Sequence, residues 1–292
     1  MHKKTERMCF EGTNVRFRMY TPDREVTCRA AFVSSPIGDC ESWDALCEKL
    51  ADKGCLCVCF EMPGYGRSPV NAPQDNATRA ALMWGVLDEV EYSRGESGCS
   101  WHLISHGSGC GVIMKMAQDY GENVLSRVLI SPVTSASARR VPGFMRHLKP
   151  GKWLLRKFYN FSTSSPKRFG DRMEKLYGMS LSQKRLDMLS REFIRGNRFE
   201  TLLNTLENGY RISAKAYKAV SPVMLIWGRG DVFGTGPDEK LLKKLQNVEV
   251  HYLTSSHMCM ETMPQEISEY LNGWFTFTAG RQKPPANGKK AK

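Results

Sequence analysis

Two apolar periods alternate along the first half of the chain. Short runs rich in Val, Ile, Phe and Cys predict strands at Val15–Tyr20, Arg29–Ser34, Cys55–Phe60, Trp101–Ser105 and Arg127–Ile130. Between them, Trp43–Lys53, Asn76–Ser93 and Gly109–Tyr120 carry apolar residues at helical spacing, with Asn76 as an N-cap and Gly54 and Gly121 where helix-ending glycines belong. The alternation resumes near the C-terminus, with strands at Val223–Trp227 and Val248–Tyr252 and helices at Asp238–Gln246 and Pro264–Phe277. Strand and helix taken in turn predict an α/β fold, a mostly parallel central sheet with helices on both faces.

The alternation breaks after Ser131-Pro132, and about ninety residues pass before the next strand, far more than an ordinary connection holds. Lys152–Phe161, Asp171–Tyr177, Ser182–Arg195 and Glu200–Leu206 read as short helices within that stretch. The expected organisation is a core of residues 1–133 and 219–280, a helical cap of residues 134–218, and a tail of residues 281–292. The tail has Pro, Gly and Lys but almost nothing to bury, so disorder is expected there.

Charge sharpens this division. The net charge is +12, yet from Thr134 to Lys218 there are 19 Lys/Arg against 6 Asp/Glu, and the tail adds 5 Lys/Arg and no acid. The basicity therefore belongs to the cap and the tail. Such a cap can draw in an anionic or acyl small-molecule substrate or make weak contact with an anionic membrane, aided by Trp153, Leu154, Leu155, Phe158 and Phe161. No nucleic-acid motif accompanies the charge, so specific nucleic-acid binding is not expected.

No apolar run approaches the roughly eighteen residues of a membrane span, and the basic N-terminus lacks the apolar centre of a secretory signal. The chain has ten cysteines, of which Cys55, Cys57 and Cys59 alternate along one strand and so share a face. That arrangement suits small packing residues, and without nearby finger-spaced partners it implies no metal site. Unexported thiols of this number point to a cytoplasmic protein.

Three segments carry candidate chemistry. Glu61-Met-Pro-Gly64-Tyr-Gly66-Arg-Ser68 is a glycine-bearing turn after a strand. Leu103-Ile-Ser105-His106-Gly107-Ser108-Gly109-Cys110-Gly111 is a strand, a tight turn of small residues and a helix start. Further on, Val223–Trp227 ends in Gly228 and is followed by Asp231, while His257 stands four residues before Glu261 and leads into the last helix.

These segments resemble, in order, the D-x-P-G-x-G-x-S loop, the nucleophile elbow, the acid-bearing strand end and the histidine segment of the α/β-hydrolase superfamily. Glu61 replaces the usual Asp, and Ser256 the usual Gly before the histidine. The resemblance runs from about Val15 to Phe277, leaving out the cap. It implies no cofactor and no metal, a histidine at His257 and an orienting acid at Asp231.

The elbow fits in two frames. In the common one, Ser105, His106, Gly109 and Cys110 take the flanking positions and Gly107 stands where the nucleophile belongs. Shifted by one residue, Ser108 is the nucleophile, with His106 and Cys110 at the two crowded positions. The resemblance also implies an oxyanion hole from the backbone N–H of Ile37, in the loop where Ser35-Pro36 replaces His-Gly, and from that of Ser108 or Gly109.

Three functions are consistent with these residues. One is hydrolysis of an ester, thioester or amide, with Ser108, His257 and Asp231 as the triad. Another is general-base chemistry by His257 and Asp231 without a serine. The third is a catalytically degenerate binding or scaffold protein: the N-myc downstream-regulated proteins carry a glycine at the elbow and are regarded as lacking hydrolase activity, and Gly107 looks similar.

Overall fold

The computed structural model describes residues 1–279 except 11, 66, 69–74, 134–140, 196–197, 210–211, 235, 237–238 and 246. The expected tail disorder, the glycine at position 66 and the start of the predicted Asp238–Gln246 helix lie outside the described residues.

Among the described residues eight strands form one sheet: β1 (His2–Phe10), β2 (Thr13–Thr21), β3 (Cys28–Val33), β4 (Cys55–Glu61), β5 (Trp101–His106), β6 (Val124–Ile130), β7 (Val223–Gly228) and β8 (Val248–Leu253). Their order is β1-β2-β4-β3-β5-β6-β7-β8. β2 pairs antiparallel with both its neighbours, β1 and β4, and the remaining neighbours pair parallel. Every residue of β4, β5 and β7 is buried, as central strands of a doubly covered sheet should be, including the polar Glu61, His102, Ser105 and His106.

Two apolar layers do the covering. α2 (Asn76–Ser93) and α3 (Cys110–Asp119) pack on one face through residues such as Met83, Leu87, Ile113 and Met116. α1 (Asp44–Ala51) and the helix Pro264–Ala279 cover the other through Leu46, Leu50, Ile267 and Leu271. Cys55, Cys57 and Cys59 lie in this second layer as free, buried thiols, the shared face that their alternation implies.

Local expectations need three corrections. Asp75, not Asn76, caps α2, its Oδ1 accepting from Thr78 N at 2.8 Å. Gly121 opens a 3₁₀ turn at Gly121–Asn123 instead of closing α3, whose C-cap is Tyr120. β1 carries no apolar run: it is an edge strand with Lys3, Lys4 and Arg7 exposed, so hydrophobic periodicity passes over it.

Between β6 and β7 the chain forms helices at Gly143–His147, Lys149–Thr163, Pro166–Tyr177, Gln183–Arg195 and Arg198–Asn204. Buried arginines tie this insertion to the sheet. Arg127 of β6 donates to the carbonyls of Ala216, Ala219 and Ser221 at 3.0, 2.8 and 2.5 Å, fixing the returning chain. Burial pulls its guanidinium down to about 10.

Arg185 donates to both carboxylate oxygens of Asp39 at 2.9 and 3.0 Å, to Glu261 Oε1 and Oε2 at 2.8 and 3.0 Å, and to Ser42 Oγ at 2.9 Å. Burial alone would raise the Asp39 carboxyl, but the Arg185 charge outweighs it and holds the group below the usual carboxylate range. Among the described residues no helix is long and apolar enough to cross a membrane.

Removing one partner of a buried ion pair strands the other charge in a low-dielectric site. Arg185→Ala is therefore expected to lower the unfolding free energy by about 3 kcal/mol in urea titration. Asp39→Asn in that background should restore part of the loss. Because Asp39 is depressed in the folded state, its stabilising contribution is lost as pH falls below about 4.

Candidate functional site

At the carboxyl edge of the sheet, β5 ends at His106 and the chain turns at Gly107, φ +57°, into a 3₁₀ turn, Gly107–Gly109, that feeds α3. A left-handed residue directly after a strand and before a helix is the apex of an elbow, and here that residue is Gly107. A Cβ on it would lie 3.6 Å from His257 Nε2 and 2.9 Å from Ser35 Cβ. The apex thus faces the histidine, and Ser35 crowds the position that a side chain would occupy.

Gly109 is needed for a different reason: a Cβ there would come within 2.9 Å of the Val33 carbonyl at the end of β3. Across the turn Ser105 Oγ donates to Cys110 Sγ at 3.2 Å. Burial pushes the Cys110 thiol up to about 12, so it is neutral.

β7 delivers the acid. Its terminal Gly228 lets the loop before His257 cross directly over it, since a Cβ would meet the Ser256 carbonyl at 2.2 Å. Asp231 Oδ2 accepts from His257 Nδ1 at 2.9 Å, while its Oδ1 accepts from Phe233 N at 2.8 Å. Both side chains are buried. With the Nδ1 proton committed to Asp231, Nε2 carries the lone pair, and among the described residues it has no hydrogen-bond partner.

His106 holds this arrangement together from below. Its Nε2 donates to the His257 carbonyl at 3.1 Å, and its Nδ1 accepts from Ser35 Oγ at 3.2 Å. Burial, and then the neighbouring His257, keep it uncharged far below the ordinary histidine range. The ring therefore links the histidine loop to the Ser35 loop, a tie that no local pattern reveals because the partners are 71 and 151 residues away.

Of the sequence-expected residues, the structure brings together Asp231, His257, His106, Gly107 and Ser35. Ser108 lies one position past the apex, in the helical turn, and its buried Oγ has no hydrogen-bond partner among the described residues. The hydroxyl–imidazole bond expected of a Ser108–His257 pair is not formed. The elbow thus stands in the unshifted frame, with Ser108 as the residue that follows the apex. Ile37 and Ser35 line the cavity above it, whereas Gly109 packs beneath the end of β3.

That cavity measures about 520 Å³ and is overwhelmingly apolar. Ser108, Phe233 and His257 form its floor, and Leu155, Phe158, Tyr159, Phe169, Met173 and Phe199 of the cap form its walls and roof. Arg198 braces the loop beside it, donating to the carbonyls of Pro36 and Gly64 at 3.3 and 3.0 Å.

The sequence profile described as "Alpha/beta hydrolase family" matches residues 33–270. The chain belongs to the α/β-hydrolase family. A dihydrolipoyllysine-residue acetyltransferase component of an acetoin cleaving system, from Cupriavidus necator, is 31% identical over 126 residues, 40% of this chain and 32% of that protein. The chain thus spans about a third of that curated relative's length.

Among solved structures, a membrane phospholipase A described as a bacterial virulence factor superposes with TM-score 0.74 at 15% identity, over 95% of this chain and 87% of that one. The epoxide hydrolase CorEH gives 0.74 at 13% identity, over 94% and 99%. The haloalkane dehalogenase DbeA of Bradyrhizobium elkani gives 0.73 at 14%, over 96% and 100%. At these identities the likeness shows a shared fold.

Glu192, between Arg67 and Arg198 at 3.2 and 3.7 Å, gives this α/β hydrolase a pH signature. Burial first, and then the Asp39 and Glu61 carboxylates, raise it to about 7. Between pH of about 4.5 and 7 the folded state holds a proton that the unfolded chain has released, so this group's contribution to stability falls as pH rises. Urea midpoints at pH 5 and pH 8 should therefore differ less in Glu192→Gln than in the wild type.

Proposed function

We propose that this protein hydrolyses an ester or thioester of an apolar acyl group without a covalent serine intermediate. His257, oriented by Asp231, is the general base and acts on water. The observation that carries this reading is that the imidazole's free Nε2 faces a glycine at the elbow apex, under an apolar cavity.

In a serine enzyme of this fold, the nucleophile's hydroxyl would sit beside Nε2. Here Ser35 takes up the room that the nucleophile's Cβ needs, so the matching reactant is a water molecule. Nε2 removes its proton as the oxygen attacks the acyl carbonyl. The carbonyl oxygen becomes an oxyanion, and on this reading the backbone N–H groups of Ile37 and Ser108 receive it. Collapse expels the alkoxide or thiolate, which takes the proton back from the imidazolium. The products are a carboxylic acid and an alcohol or thiol.

A second reading keeps Ser108 as nucleophile, favoured by its unpaired Oγ on the cavity floor. It requires the turn to rearrange so that Ser108 reaches His257. A third, ligand binding without turnover, draws on the same crowding of the apex by Ser35.

A fluorophosphonate probe and a series of acyl p-nitrophenyl esters and acyl thioesters separate the three. The wild type is expected to turn over longer-chain substrates without being labelled, with His257→Ala losing at least about a hundredfold in rate and Ser108→Ala retaining most of it. Labelling of the wild type that disappears in Ser108→Ala sinks the water mechanism. Binding with no turnover, equal in wild type and His257→Ala, leaves the binding protein. Gly107→Ser combined with Ser35→Gly should gain labelling, because it places a hydroxyl next to Nε2.

A further inference from the structure

The cap helix Lys149–Thr163 has two apolar faces; the cavity takes one of them and, of the other, only Phe158. Leu155, Tyr159 and Ser162, at i, i+4 and i+7, line the cavity. Leu154, Phe158 and Phe161 repeat the same spacing on the outer side, beside Trp153, and these four side chains stand about half exposed or more. Phe144 and Leu148, just before this helix, are equally exposed. Exposed apolar side chains gathered like this mark an interaction surface.

The surrounding charge identifies what it meets. Lys157 lies over the Trp153 ring at 5.4 Å, Arg168 over Phe161 at 4.2 Å and Arg172 over Phe158 at 4.6 Å. Lys149 opens the same helix. Among the described residues no carboxylate pairs with Lys149, Lys157, Arg168 or Arg172, whereas Lys152 and Arg156, turned the other way, are paired with Glu207 and Glu200. Aromatic rings each carrying an unneutralised cation match the boundary between acyl chains and anionic headgroups, where the ring enters the apolar zone and the cation meets phosphate.

We infer that this outer face docks on an anionic lipid surface, with the cavity opening toward the bilayer. Phe158 and Arg172 belong to both the patch and the cavity wall, so a molecule leaving the bilayer at Phe158 enters the cavity without crossing water. The docking stands whether or not His257 performs the hydrolysis proposed above. If that hydrolysis holds too, the substrate class becomes acyl lipids drawn from the membrane.

Trp153 supplies a built-in reporter, because the other five tryptophans, Trp43, Trp84, Trp101, Trp227 and Trp274, are buried. The full chain is mixed with phosphatidylcholine vesicles, with or without phosphatidylglycerol, and followed by co-sedimentation and tryptophan emission. Binding with a blue shift is expected on the anionic vesicles, weakening as salt rises, and little binding on the neutral ones. Lys149→Glu/Lys157→Glu should cut partitioning on the order of tenfold or more. Trp153→Ala/Phe161→Ala should reduce it similarly while leaving the circular dichroism unchanged.

Three results overturn the inference. One is absence of binding by the folded wild type. Another is binding that both double variants retain in full, which would place the contact elsewhere, such as the basic tail. The last is a concentration-dependent dimer that Trp153→Ala/Phe161→Ala abolishes, which would make the patch a self-association surface.

Discussion

At the carboxyl edge of the sheet, backbone meets backbone at separations that admit no side-chain carbon, and the site depends on that contact. Gly109 lets the elbow lie against the end of β3, and Gly228 lets the histidine loop cross the end of β7. These two approaches bring three loops, far apart in the chain, to one point above β5. Asp231, His257 and the Ser35 loop are fixed there by the sheet's register, and the buried His106 ring locks two of the loops to each other. A hydrogen-bonded pair held this way is oriented before any substrate arrives, which is the condition for an effective base.

The cap is attached by charge as well as by packing. Arg185 and Arg198 reach from the cap into the loops bordering the cavity, the first to Asp39, the second to the Pro36 and Gly64 carbonyls. Each buried guanidinium is tolerated because several acceptors surround it. The result is an apolar chamber whose floor is polar at only a few atoms, His257 among its lining.

The family relationship and the site's own geometry speak to different questions. Family membership and the superpositions establish the hydrolase fold. The site's geometry adds a glycine at the elbow apex, facing the hydrogen-bonded His257–Asp231 pair. On the proposed reading the fold keeps its proton-transfer half and gives the nucleophile's place to water, while the outer face of the cap decides where the substrate comes from.

Much of this was legible in the sequence because it is local. The strand and helix periods, the glycine-bearing turns and the order of elbow, acid and histidine segments depend on neighbouring residues, and the expectation for Asp231 and His257, which hydrogen-bond at 2.9 Å, rests on such frames. β1 was missed because an exposed edge strand needs no apolar period. The string of small residues leaves the frame of the elbow open between Gly107 and Ser108. Only the folded chain decided it, because the choice rests on which Cα carries positive φ and faces His257 Nε2. The tertiary structure alone likewise revealed the His106 tie, the Ser35 crowding and the two faces of the cap helix, as each depends on distance between residues that the sequence keeps far apart.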